Sequence, residues 1–154
     1  MKPVIRSCFF LTLFFSGQLL AQINVGHIVN GVPTLTMSDA VLSDTLDFVL
    51  DGAILQNSNA QAGTDTFGIF YYIKADGIRN GHANPSQIAV ILTVNGNNLE
   101  FTSGTGCTME CRPGLHCTAC DQTIYEKCKR QTCSCKPANS THTCTASITY
   151  PSNN

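Results

Sequence analysis

The chain has 154 residues, 43% of them hydrophobic, and a formal net charge of −1 from 9 basic and 10 acidic side chains. That length suits one domain, or one domain with a small appendage. A near-neutral total supplies no electrostatic footprint for a polyanion, so no nucleic-acid partner is expected.

The chain opens with Lys2 and Arg6, continues with the apolar run "CFFLTLFF" from Cys8 to Phe15, and leaves it through "SGQLLAQ". A positive flank, a short apolar centre and a small residue at Ala21 form the layout of a secretory signal peptide over 1–21. The expected destination is secreted, extracellular or periplasmic. A membrane span needs roughly 20 consecutive apolar residues, and Ser16, Gly17 and Gln18 interrupt this run. No membrane span is expected after cleavage. Of nine cysteines only Cys8 would leave with the peptide, and the remaining eight form an even set. An even set is what closed disulfides in an oxidising compartment require.

Residues 22–106 contain no cysteine and are expected to form an antiparallel β-sandwich-like body. "INVGHIV" and "PTLTM" suit two strands across the turn "NGVP". "SDAVLSDTLDFVLDG" is ambiguous: Leu42, Leu46, Val49 and Leu50 fit a helical stripe, while Leu46, Phe48 and Leu50 alternate as in a strand. Its β-rich surroundings favour a strand. "QNSNAQAGTD" and "DGIRNGHANPS" have the composition of loops. "TFGIFYYIK" carries bulk on both faces, which suits a strand central to a sandwich. The alternative is a Phe70/Tyr72 stripe left open as an aromatic contact.

"QIAVILTVNGNNLEFT" contains Asn95-Gly96, a strong two-residue hairpin signal. With that turn, Leu92 would face Leu99, Val90 would face Phe101 and Ile91 would face Glu100. Ile88, Val90, Leu92, Leu99 and Phe101 then share the inward face.

At Cys107 the composition changes. "CTMECRPGLHCTACDQTIYEKCKRQTCSC" packs seven cysteines into Cys107–Cys135, and Cys144 follows. Basic residues also outnumber acidic ones from here on, the reverse of the preceding region. The segment 107–154, with a final strand near 144–150, is expected to be a tail stapled by Cys107, Cys111, Cys117, Cys120, Cys128, Cys133, Cys135 and Cys144. With few large aliphatics it cannot bury much core. Disulfides, each worth about 2–4 kcal/mol, supply what the core lacks. Every bridge must close within the tail, because the body offers no sulfur. Cys133 and Cys135 point the same way on an extended strand, which favours separate partners.

Two other chemistries compete for these sulfurs. "HCTAC" is a C-x-x-C unit, and a helix over "DQTIYEKCKR" would place Cys117/Cys120 as in a thiol-disulfide oxidoreductase. The strand-helix context of such enzymes is missing. A zinc site would use Cys117, Cys120, Cys133 and Cys135, but the C-x-C spacing is tight. The spacing of Cys111, Cys117 and Cys120 resembles vertebrate-type [2Fe-2S] ferredoxins, whose fourth cysteine lies far downstream, unlike here. No metal and no cofactor are expected.

The histidines, His27, His82, His116 and His142, show no H-x-x-x-H spacing, and no G-x-S-x-G elbow is present. No catalytic residue is therefore assigned. Asn139-Ser140-Thr141 is a glycosylation sequon. Lys127, Lys129, Arg130 and Lys136 concentrate positive charge and form a candidate patch for an anionic partner. The leading expectation is a non-enzymatic secreted binding or structural module whose partner is an extracellular protein or glycan. The alternatives are the Cys117/Cys120 oxidoreductase and an inhibitor or toxin-like effector acting through the tail.

Overall fold

A computed structural model describes residues 22–102, 106–114, 116–136 and 143–151. The expected signal peptide, 1–21, and the sequon at Asn139 lie outside the described residues. The fold is all-β and antiparallel, with two short helices and a C-terminal cluster of disulfides.

Strands β1 (Gln22–Val29) and β2 (Val32–Leu35) pair across Asn30 and Gly31. Both turn residues have positive φ, 51° and 79°, as the type I′ hairpin turn requires. The following segment corrects the expected strand: it forms helices α1 (Asp39–Thr45) and α2 (Asp47–Leu50). Ser38 caps α1 by accepting from the Val41 amide, Asp39 occupies its first turn, and Asp51 closes α2 in the left-handed region. Those end signals outweigh the β-rich surroundings, since they stabilise backbone groups only a helix leaves unpaired. Leu42, Leu46, Val49 and Leu50 are all buried, as the helical stripe demands.

"QNSNAQAGTD" is likewise strand rather than loop. It lies in β3 (Ile54–Asp65), a polar strand that among the described residues pairs only with β4 (Gly68–Ile78). On β3's other side, Ser43 Oγ accepts from the Leu55 amide at 2.8 Å and Asp39 Oδ1 accepts from the Ser58 amide at 3.1 Å. The helix thus satisfies part of a strand edge that composition alone marks as a loop.

β5 (Ser86–Asn95) is the centre of the molecule. One edge pairs with β4, from Tyr71↔Leu92 to Gly77↔Ser86. The other is divided between β7 (Thr108–Pro113), at Gln87↔Cys111 to Val90↔Thr108, and β6 (Asn98–Thr102), at Thr93↔Glu100 to Asn95↔Asn98. β6 leads on through β1 to β2, and β7 leads to β10 (Cys144–Thr149). β8 (Ala119–Glu126) and β9 (Arg130–Lys136) form a separate hairpin.

The β5–β6 register corrects the expected one. Val94, not Leu92, faces Leu99, so the turn is Gly96-Asn97, with the positive φ of 61° on the glycine. Glycine at the first central position is the type II′ signature, and Asn-Gly-Asn offers either turn. The shift amounts to two residues in pairing, so every side chain keeps its face. Ile88, Val90, Leu92, Leu99 and Phe101 indeed lie in one core with the helix leucines.

Ala89 and Ile91 point the other way, into a second core with Phe70, Cys107 and Met109. Tyr72, Ile124, Cys128 and Ile148 close it. β5 is therefore buried on both faces, which explains its nearly continuous apolar sequence. The segment "DQTIYEK", readable as a redox helix, lies in β8 and its turn. Its strand pairing turns Ile124 towards the second core and Gln122 towards β7, where Gln122 Nε2 donates to the Met109 carbonyl at 2.9 Å.

Candidate functional site

The β3–β4 turn and the β8–β9 turn approach each other at one end of the molecule. Asp65 joins them: its Oδ1 accepts from the Phe67 amide at 2.7 Å, and its Oδ2 accepts from the Lys127 amide at 3.3 Å. A side chain that bonds a backbone amide two residues on is the usual way aspartate fixes a turn. Here the second oxygen uses the same carboxylate to hold the neighbouring hairpin.

Between these turns and the end of β5 lies an open groove of about 570 Å³, lined by Phe67, Ile69, Leu92, Val94, Lys127 and Lys129 among others. Phe67 is 84% exposed and Ile69 68% exposed. Lys129 Nζ stands 5.2 Å from the centre of the Phe67 ring, within cation–π range. Glu126 and Asp65 supply acidic groups at the rim. Cys128, between the two lysines, is bonded to Cys107, which ties their turn to the second core.

The expected basic patch is thus divided. Lys127 and Lys129 line the groove, while Arg130 sits 5.4 Å over the Tyr125 ring. Lys136 is at the far end of the hairpin, paired with Asp121 at 2.5 Å. Of the Phe70/Tyr72 stripe, Phe70 is buried under the tail and Tyr72 is half-buried, its hydroxyl donating to Gln61 Oε1 at 2.9 Å. Burial raises the Tyr72 phenol above its ordinary value. The sequence reading missed Phe67 and Ile69 as exposed groups because strand alternation assigned them a packed face. The signal was Asp65 before Phe67-Gly68, a turn pattern that takes Phe67 out of the strand.

The eight tail cysteines form four bridges, Cys107–Cys128, Cys111–Cys133, Cys117–Cys135 and Cys120–Cys144, with Cα separations of 5.6 to 6.1 Å. None reaches the body, and Cys133 and Cys135 take separate partners. Cys117 and Cys120 are not bonded to each other. Nor do they precede a helix, since β8 begins at Ala119. Cys133, proposed above for a zinc set, is bonded to Cys111.

A second polar cluster lies on the opposite side, around Glu110 of β7. Its carboxylate is buried and takes Arg79 Nε at 3.3 Å, Arg79 Nη2 at 3.2 Å and Arg112 Nη2 at 2.9 Å. Burial alone would raise the Glu110 carboxyl, but hydrogen bonds from Arg112, Ser86 and Arg79, with the charge of Arg79, outweigh it and hold it below the ordinary range. Arg79 also donates to the Leu50 carbonyl at 2.9 Å and to the Asp51 carbonyl. These are the end carbonyls of α2, so Arg79 caps the helix and bonds the tail strand at once. The donors of Arg79 are spent inside the fold, so Arg79 links helix and sheet here.

No protein-family model matches the chain, and no curated protein or solved structure matches it. Among the described residues, no helix is long and apolar enough to cross a membrane.

Proposed function

We propose that the chain is a secreted, non-enzymatic binding module, held by its disulfides, that engages an extracellular protein through the groove between the β3–β4 and β8–β9 turns. One observation carries this reading: two large apolar side chains, Phe67 and Ile69, stand exposed beside Lys127 and Lys129. Isolated exposed apolar residues are ordinary, but an apolar pair rimmed by charge is the composition of a contact surface. The matching partner segment offers an apolar side chain to the groove and a carboxylate to the lysines. The four bridges suit work outside the cell, where such a framework persists.

The test uses the full exported chain to select binders from a displayed library of random peptides. Enrichment of peptides that combine apolar and acidic residues, with at least tenfold weaker binding to Phe67→Ser and to a Lys127→Ala/Lys129→Ala variant, is the expected result. Peptides that bind these variants as well as the parent would overturn the assignment of the groove, as would a failure to enrich any sequence.

A further inference from the structure

Two of the four bridges touch. Cys117–Cys135 ties the loop before β8 to β9, and Cys120–Cys144 ties β8 to β10. Across the gap between them, Cys117 Sγ lies 3.4 Å from Cys144 Sγ, and the sulfurs of Cys117, Cys120 and Cys144 all fall within 4.8 Å of one another. The remaining pair is brought together by the backbone: Cys120 and Cys135 are direct partners in the β8–β9 register. Directly opposed residues on antiparallel strands have Cα atoms about 4.5–5.5 Å apart. That falls within the about 4.4–6.8 Å over which a disulfide can close.

The same four sulfurs therefore have a second complete pairing, Cys117–Cys144 with Cys120–Cys135, that needs no rearrangement of strands. We propose that these four cysteines are a thiol-triggered exchange site, at which a small external thiol interconverts the two pairings. Cys144 is half-buried while Cys117, Cys120 and Cys135 are buried, so Cys144 is the sulfur an incoming thiolate reaches.

Attack there forms a mixed disulfide on Cys144 and releases the Cys120 thiolate. Cys120 attacks Cys135, its cross-strand partner, closing Cys120–Cys135 and releasing the Cys117 thiolate. Cys117 then attacks Cys144, closing Cys117–Cys144 and expelling the external thiolate unchanged. Each step makes one S–S bond and breaks one, by the general course of thiol–disulfide exchange. There is no net oxidation or reduction. The consequence is mechanical: Cys120–Cys144 ties β10 to the β8 strand itself, whereas the exchanged pairing ties β10 to the loop before β8 and cross-links β8 to β9 at Cys120–Cys135. The bridges Cys107–Cys128 and Cys111–Cys133 take no part.

The experiment incubates the full exported chain with a catalytic amount of glutathione, quenches by alkylation at low pH, and assigns each linked cysteine by stepwise partial reduction with differential alkylation and fragmentation mass spectrometry, since Cys117 and Cys120 share one peptide. The expected result is Cys117–Cys144 and Cys120–Cys135 peptides in about a tenth of the chains or more, a level that corresponds to pairings within about 1.4 kcal/mol. The other two bridges should stay intact. In parallel, Cys135→Ser removes the partner of Cys117, and Cys117–Cys144 should appear with Cys120 alkylated. Native pairing alone in the treated parent chain would overturn the proposal. So would scrambling across all eight cysteines, which would show unfolding in place of local exchange. If Cys135→Ser fails to fold, the parent chain decides.

Discussion

Gly63 of β3 lies directly opposite Phe70 of β4, and the Phe70 ring occupies the space where a Cβ on Gly63 would sit. The absent side chain is thus part of how the second core accommodates its largest ring. Phe70 is buried there with Ile91 and Met109, so the ring has little room to retreat. Gly63→Ala is expected to cost about 1–3 kcal/mol, the usual penalty for overpacking a close-packed site. Urea unfolding with the disulfides intact measures it, and an unchanged midpoint would contradict this account of the contact.

Glu110 gives a prediction in pH. Its carboxyl is held below the ordinary range by Arg112, Ser86 and Arg79 against the opposing effect of burial. A group whose folded value lies below its unfolded one contributes stability above the unfolded value, about 4.3 for glutamate. The contribution fades as the pH falls from there through the folded value. Glu110→Gln should therefore cost most at neutral pH, about 3 kcal/mol because two guanidinium groups lose their common partner. The gap between variant and parent should narrow on acidification below about pH 4. Denaturant midpoints from neutral to strongly acidic pH would show this convergence, and parallel curves would exclude it.

Ser43 links helix to sheet. Its hydroxyl donates to the Asp39 carbonyl at 2.7 Å and accepts from the Leu55 amide at 2.8 Å. Ser43→Ala leaves that β3 amide without its acceptor and should lower stability by about 1–3 kcal/mol. Hydrogen exchange at Leu55 should accelerate as well, and unaltered protection there would refute the role assigned to Ser43.

The paired substitution Cys107→Ala/Cys128→Ala removes the bridge nearest the groove, which spans 21 residues of sequence. The expected loss is about 2–4 kcal/mol. Protease cleavage after Lys127 and Lys129 should quicken, since their turn would lose its covalent tie to the second core. Equal cleavage rates in variant and parent would show that strand pairing alone holds the turn.

What could be read from sequence followed from how local the governing physics was. The inward set Ile88, Val90, Leu92, Leu99 and Phe101 was legible because alternation on two adjacent strands agreed. Its exact turn was not, because Asn95-Gly96-Asn97 satisfies two hairpin geometries equally well. The helices at Asp39–Leu50 were visible in Ser38 and Asp51-Gly52, but weighing neighbouring strands above end-capping concealed them. β3 was hidden for another reason: it is stabilised by pairing with the next strand across the turn at Thr66 and Phe67 and by two α1 side chains, and the polar composition of "QNSNAQAGTD" reports neither. The closure of the bridges inside the tail followed from a count. Their pairing depended on how β8, β9 and β10 stack. The candidate groove joins turns 62 residues apart through Asp65 and Lys127, a distance that no local pattern reports.

The double burial of β5 has a consequence for biosynthesis. Its first face can be covered as soon as the segments through Phe101 are made. Ala89, Ile91 and Phe70 must wait for Met109 and Ile124, which are translated later. During synthesis the growing chain therefore carries a half-finished sheet whose bare side is covered by its cysteine-bearing end. Oxidation of that end before it docks would lock a cover away from the surface it has to protect. Docking of that end before its sulfurs close is what keeps the second face of β5 from being left as exposed apolar surface.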